Sequence, residues 1–549
     1  MDTFHNSPMF KGLAPKDFCR KLFDVYYDGR RKSWDDFNKG LTLWAHTGQE
    51  PHANDGIIEL DPVLLLNVYG TGYCGIQSGL LEGIYQSRPG GTPGKPAIEA
   101  RRWFLAGIVH SVCDAYYDGG WHYYDIDIGG YAGDAQKDVW SVADMMADPK
   151  AYYTTTTLRA PYFFKADGNG HWVEKVEKAK SYAFQDDLML GHEMAFTLRK
   201  GEKFTRYFSE KDAGWKETLP STKATELAQK GYCELIYEPT PADLAAEALS
   251  TAGGATILAV RCPYNISSSK VEPAAGAKAS VSYDIGKTWT PLPDDGLVAG
   301  AVNHWDYLLK LEGGGLKKIT TRGVLHPGAL PRVNDVTTMT VTKSADYQVL
   351  TWIPDWHDQA SCAATGTAQG LSYAASGAMS FSGGELGGSG SVTIPVHAPP
   401  GCKIVKLAAC VMGGTGTDPQ PDKYLELAIG PAGKSAVVAR STDCSPWGHK
   451  PESKVDQWQN NVSGTASFPA TLDAEIKVNI KQGRTLGLRI YVGYVQDKPA
   501  PATGTLTITH GIDGKPFAQQ VPVATLEITP FTYKTPAGKV NNYVTMEVK

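Results

Sequence analysis

No run of about 18 or more apolar residues occurs, so nothing in the chain reads as a transmembrane helix. Positive charge is not in excess either: 53 Lys and Arg face 58 Asp and Glu, for a net charge of −5. That balance argues against a general nucleic-acid binder and leaves polyanion contact to a local basic patch. The nine cysteines (Cys19, Cys74, Cys113, Cys233, Cys262, Cys362, Cys402, Cys410 and Cys444) form no C-x-x-C pair and no zinc spacing. Their odd count fits one free thiol plus bridges, or no bridges, and assigns no disulfide. The opening MDTFHNSPMF lacks the basic-then-apolar pattern of a secretory leader. What is abundant is turns and rings: 59 glycines, 34 prolines and 10% aromatics in 549 residues. This is the composition of a strand- and turn-rich protein, long enough for roughly three or four domains.

Three regions follow from the pattern. Residues 1–210 are mixed α+β, with helical apolar spacing in PKDFCRKLFDVYYDG and a hairpin signal in GIVHSVCDAYYDGGWHYYDID. There, two aromatic and β-branched runs flank DGG, which predicts a primed turn. Residues 211–345 alternate as short strands, which predicts a β-sandwich. Within them SYDIGKTW (282–289) resembles the Asp-box turn of β-rich carbohydrate-active proteins, a structural motif. Residues 346–549 predict a second β-sandwich, and the Gly/Ser-rich segment 363–393 reads as a linker or an exposed strand region.

Chemistry concentrates in YGTGYCGIQSGLLEGIYQSR (69–88). Ile76, Leu80, Leu81, Ile84 and Tyr85 recur at helical spacing, so Cys74 falls in a first turn, where free N–H groups and the dipole favour a thiolate. His110 lies on the first strand of the predicted hairpin and Asp125 on the returning one. A thiol on a helix, packed against strands that present His and then Asp, predicts a Cys–His–Asp triad. Taken singly, each member has a plainer reading: a packed thiol, a core imidazole, a turn-forming carboxylate.

The order and setting of these residues resemble the transglutaminase-like superfamily. The resemblance rests on GYCGIQSGLLEGIY, AGIVHSVCDAYYDGGWHYYDID and the aromatic turn YYDGGWHYYD, over roughly residues 60–150. It implies an α+β, papain-like N-terminal domain followed by β-sandwich modules, with Cys74 as nucleophile, His110 as base and Asp125 as orienting acid. The chain departs from the common pattern after His110, where SVCD stands in place of Ala-Trp.

Around the triad, Trp121 shares a strand face with Tyr123 and Asp125, while His122 and Tyr124 share the other. Tyr73, Gln77, Trp121, His122, Tyr124 and Tyr131 are expected to line the site, with Arg88 and Arg101 adding positive charge. A second segment, GHEMAFTLRKGEKFTRYFSEKDAGWK, carries His192, Arg199 and Arg206 among aromatics. It reads either as a solvated edge strand or as a groove pairing cations with carboxylates and stacking rings on sugars.

The whole chain resembles secreted bacterial multidomain enzymes that degrade glycans. That resemblance implies a polysaccharide lyase cleaving a uronic-acid polymer by β-elimination, a secreted or periplasmic location, and an anionic polysaccharide as partner. The alternatives are thiol-dependent acyl transfer on amides (peptidase, amidase or transglutaminase) and a non-catalytic glycan-binding module. No cofactor or catalytic metal is expected; the one ion with candidate ligands is a structural calcium in DIDIGGYAGD.

Overall fold

The computed structural model describes residues 1–29, 45–46, 61–91, 96–105, 110–127, 130–134, 136–148, 157–159, 182–184, 191–194, 196–216, 231–325, 331, 333–343, 346–375, 384–414, 422–441, 462–499 and 503–549. Among them the architecture is mostly β, in several sheets. No described helix is long and apolar enough to cross a membrane.

Near the N-terminus, helix α1 (Pro15–Gly29) buries Phe18, Cys19, Leu22, Phe23 and Tyr26, one stripe at helical spacing. Helix α2 (Cys74–Gln86) is buried along nearly its whole length, from Gly75 to Tyr85. It lies on an antiparallel sheet of β1 (Glu99–Leu105), β2 (His110–Tyr117), β3 (Gly120–Tyr124) and β4 (Tyr182–Phe184), in spatial order β3-β2-β1-β4. The turn between β2 and β3 has two residues, Asp118 and Gly119, with φ of 49° and 79°. Two positive φ values make the primed turn whose twist matches the strands.

The two faces of this sheet do different things. Ala100, Cys113, Ala115, Tyr117 and Tyr124 share an apolar cluster with Ile76, Leu80, Leu81, Ile84 and Tyr85 of α2. The opposite face carries the fully buried Arg101 and Asp114. Asp114 accepts from Arg101 Nη2 at 3.1 Å, Trp103 Nε1 at 2.8 Å and the Val142 backbone N–H at 3.2 Å. A short helix, Val142–Ala147, starts there with a Ser141–Asp144 capping box.

A seven-stranded sheet follows, in the order 266–273, 316–325, 231–237, 202–207, 541–548, 505–512 and 515–522. It shares an apolar layer with a four-stranded sheet of 255–261, 306–312, 278–282 and 290–291, as a β-sandwich does. The Asp-box segment is the expected turn: Asp284 accepts from the Thr288 backbone N–H at 2.9 Å and from its hydroxyl at 2.6 Å. A third sheet is organised by one long strand, Asp473–Gln496. Its first half pairs with 385–397 and 424–431, its second with 402–414 and 348–352.

Strand pairing bears on two expectations. It crosses the divisions drawn at 210/211 and 345/346, because Asn541–Val548 returns to pair with Glu202–Tyr207 inside the seven-stranded sheet. Of the two forms expected for the Gly/Ser-rich segment, Thr367–Ala374 takes the exposed strand, paired with Glu385–His397, and residues 376–383 lie outside the described part.

Candidate active site

Cys74 is the first residue of α2, after Tyr73 as N-cap, and the first intrahelical bond runs from Gln77 N–H to the Tyr73 carbonyl. The N–H groups of the first turn therefore have no acceptor within the helix. Gly75 is required by a close approach: a Cβ there would come within 2.7 Å of Tyr73 Cε2. Arg102 Nη1 donates to the Gly75 carbonyl at 3.1 Å while its Nε pairs with Glu82 Oε2 at 3.1 Å, so β1 grips α2 at two points.

This anchoring brings the start of α2 against the start of β2. The Cys74 thiol is hydrogen-bonded to the His110 ring and to the Ser111 backbone N–H. His110 Nε2 lies 2.8 Å from Asp125 Oδ2, which leaves Nδ1 as the nitrogen for the thiol. Asp125 is itself held: its Oδ1 accepts the Asp127 N–H at 2.8 Å, and Tyr123 OH donates to Oδ2 at 3.4 Å. His110 and Asp125 are 5% and 3% exposed, whereas Cys74 is only half-buried. The thiol is thus the member of the triad that a reactant reaches.

The electrostatics follow from the geometry. Burial opposes charge on His110, but Asp125 and the thiol outweigh it and push the imidazole up to about 10. Burial likewise opposes a thiolate at Cys74; the hydrogen bond and charge of His110 outweigh it and hold the thiol below its ordinary value. Both shifts favour a thiolate–imidazolium pair over the neutral thiol and imidazole.

One further carboxylate enters the cluster. A ligand atom each of Cys74, His110 and Asp127 all lie within 4.8 Å of one another. Gln77 Nε2 holds Asp127 Oδ1 at 3.0 Å and also donates to the Gly72 carbonyl at 3.2 Å. The sequence signal for Asp127 was its place in DIDIGG, where it falls in the turn after Asp125 and bonds back to that carboxylate through its N–H.

The other expected site residues separate into two groups. Tyr73 and Gln77 are at the triad. Trp121, Arg101, His122 and Tyr124 are structural: Arg101 is clasped by Asp114 and lies 4.0 Å over the Trp121 ring. His122 faces the Val139 and Tyr117 carbonyls and stacks on Tyr117, while Tyr124 OH meets Tyr117 OH at 2.8 Å. Tyr131 packs edge-on against Phe23 and Tyr124. Arg88 sits beyond the far end of α2, bonded to the Leu13 carbonyl and 4.4 Å over Phe18. The expected basic groove is absorbed by the central sheet. Arg199 pairs with Glu202 at 2.6 Å, Arg206 lies over Phe208 and Tyr264, and His192 packs against Trp305 and Tyr491. In each case the guanidinium or imidazole supplies flat area to the core, a use that composition alone does not distinguish from ligand binding. The carboxylates foreseen for calcium are also engaged, Asp125 on His110 and Asp134 on the Gln136 and Lys137 N–H groups.

No family model matches the chain, and no curated protein matches it. Solved structures give distant likenesses. A plant receptor-like kinase, ANX2, aligns over 54% of this chain and 90% of its own at 8% identity, with a TM-score of 0.21. The ANX2 ectodomain from Arabidopsis thaliana aligns over 54% and 91% at 8% identity, with a TM-score of 0.18. Dimeric latent PorU from Porphyromonas gingivalis aligns over 55% of this chain and 32% of its own at 9% identity, with a TM-score of 0.18. At such scores the likeness carries no functional argument.

Proposed function

We propose that the N-terminal region is a transglutaminase-like domain whose Cys74, His110 and Asp125 carry out acyl transfer on amides. The observation that carries this reading is the hydrogen-bonded line from Asp125 through His110 to a half-buried thiol at a helix start. In the first step the Cys74 thiolate attacks the amide carbon. Oxyanion charge develops where the N–H groups of the first α2 turn point. The C–N bond then breaks, and the imidazolium gives its proton to the departing amine. Water or a second amine attacks the thioester, with His110 now taking a proton and Cys74 leaving as thiolate. Asp125 fixes the ring through both half-reactions. Hydrolysis and transamidation differ only in which nucleophile reaches the thioester.

A second reading is β-elimination on a uronic-acid polysaccharide by a secreted or periplasmic enzyme. Tyr123 and His110 meet at one carboxylate, and such a pair can serve as acid and base. This reading needs a cation for the uronate. Among the described residues, Arg88, Arg101 and Arg199 are held by partners away from the triad, and Arg102, beside Cys74, is engaged by Glu82 and the Gly75 carbonyl, so the first reading is preferred.

One experiment separates the two. The protein and its Cys74→Ala variant are incubated with acyl amides plus an amine acceptor, and with alginate, glucuronan, hyaluronan, chondroitin and heparin. Thiol-dependent release or transfer that vanishes in Cys74→Ala is expected. Appearance of an unsaturated uronate, retained in Cys74→Ala, would overturn acyl transfer in favour of the lyase.

A further inference from the structure

Asp127 has no part in the acyl-transfer steps, yet it faces the same thiol and imidazole. A sulfur, an imidazole nitrogen and a carboxylate oxygen, all within 4.8 Å of one another, are a donor set of mixed softness. Calcium and magnesium take oxygen ligands, whereas zinc takes thiolate, imidazole and carboxylate together. Three protein donors leave a fourth tetrahedral position for water.

Each donor is also braced from behind, as ligands of a built metal site are. His110 presents Nε2 to Asp125 at 2.8 Å, which aims Nδ1 into the cluster. Asp127 is tied through Oδ1 to Gln77 at 3.0 Å. Cys74 is fixed by its place at the start of α2. Bonds of about 2.0–2.3 Å to a tetrahedral ion set donor separations of roughly 3.3–3.8 Å. The donors' mutual separations, all within 4.8 Å, are of the order that geometry needs.

We propose that a zinc-class divalent ion binds Cys74 Sγ, a ring nitrogen of His110 and a carboxylate oxygen of Asp127, and that the bound ion silences the thiol. The silencing rests on the acyl-transfer reading; the metal site does not. The two carboxylates then divide the work: Asp125 orients the imidazole in either state, and the Asp127 side chain acts as a ligand when metal is present. On binding, the imidazolium releases its Nδ1 proton to solvent, and the lone pair the thiolate would use on an amide carbon is donated to the ion instead, so the two states exclude each other.

The test uses the full chain, stripped of metal by chelator and dialysis, and titrated with cobalt(II) as a spectroscopic stand-in for zinc. One equivalent is expected to bind with a thiolate-to-cobalt charge-transfer band and tetrahedral visible bands, both erased by stoichiometric zinc. Asp127→Asn is expected to weaken cobalt binding at least tenfold while far-ultraviolet circular dichroism shows a folded protein. Zinc is expected to slow alkylation of Cys74 at least tenfold in the parent chain. Absence of the charge-transfer band in folded parent protein overturns the site. Unchanged cobalt affinity in Asp127→Asn overturns this ligand set. Failure of the metal-free chain to turn over any amide counts against acyl transfer alone, and leaves the cobalt result standing.

Discussion

Replacing Asp125 by Asn tests the electrostatics of the site most directly. Asn keeps the Oδ1 that accepts the Asp127 N–H, so the local turn survives. It removes the charge that lies 2.8 Å from His110 Nε2 in a buried setting. A hydrogen bond to a charged group contributes about 1.5–3 kcal/mol. At about 1.4 kcal/mol per factor of ten, its loss lowers the thiolate–imidazolium population about 10- to 100-fold. In the parent, Cys74 lies below the ordinary thiol range and His110 is raised to about 10. The reactive pair therefore persists from the depressed Cys74 value up to about 10, and is lost below that window as the thiolate takes up a proton. The variant's window should narrow from both sides. The assay is the rate of iodoacetamide labelling of Cys74, followed by peptide mass spectrometry from pH 5 to 10, with a urea-unfolded sample as reference. Neutral-pH labelling should fall about 10- to 100-fold, and its midpoint should rise by about one to two pH units. Superimposable pH profiles for parent and Asp125→Asn would refute the claim that Asp125 acts on Cys74 through His110.

Asp114→Ala leaves buried Arg101 without its carboxylate and should destabilise the N-terminal region by about 3–5 kcal/mol, read by urea unfolding with tryptophan fluorescence. Burial holds His510 down at about 4 and His192 well below its ordinary value. Their unfolded forms, near 6.5, bind protons that the native forms refuse, so stability present above about 6.5 should fall as pH drops toward 4. Burial raises Asp306 to about 6, which acts in the opposite sense, so the histidine contribution is best read as the flattening of the pH–stability curve in His510→Gln. Deleting residues 503–549 removes the strand paired with Glu202–Tyr207 and should render the central sheet protease-sensitive, whereas a detachable tail would leave it resistant. Asp284→Ala should loosen only the 282–289 turn, leaving Cys74 labelling unchanged; a slower rate would tie that turn to the site.

Features of local origin were readable from the residues. The apolar spacing of α2, the primed turn at Asp118–Gly119 and the alternation that puts Asp125 with Tyr123 depend on near neighbours alone. The same holds for Asp284, whose bonds stay within its own octapeptide. The cations tell the opposite story. Arg101 and Arg199 looked like ligands for an anionic chain because a guanidinium in a sequence carries no sign of where its counter-charge is. Asp114 and Glu202, with Trp121 and Tyr237 beneath the guanidinium planes, consume them inside the fold.

What the amino-acid order determined by itself was therefore periodicity, turns, and a thiol, an imidazole and a carboxylate in an order fit for a triad. Tertiary structure alone decided that Asp127 joins them, that His192 and Arg199 of the basic segment are buried, and that the last strand returns to the middle of the chain. The reason is the range of the interactions. Backbone preference acts over a few residues, while sheet closure joins strands hundreds of positions apart, and only packing selects which carboxylate meets a given guanidinium.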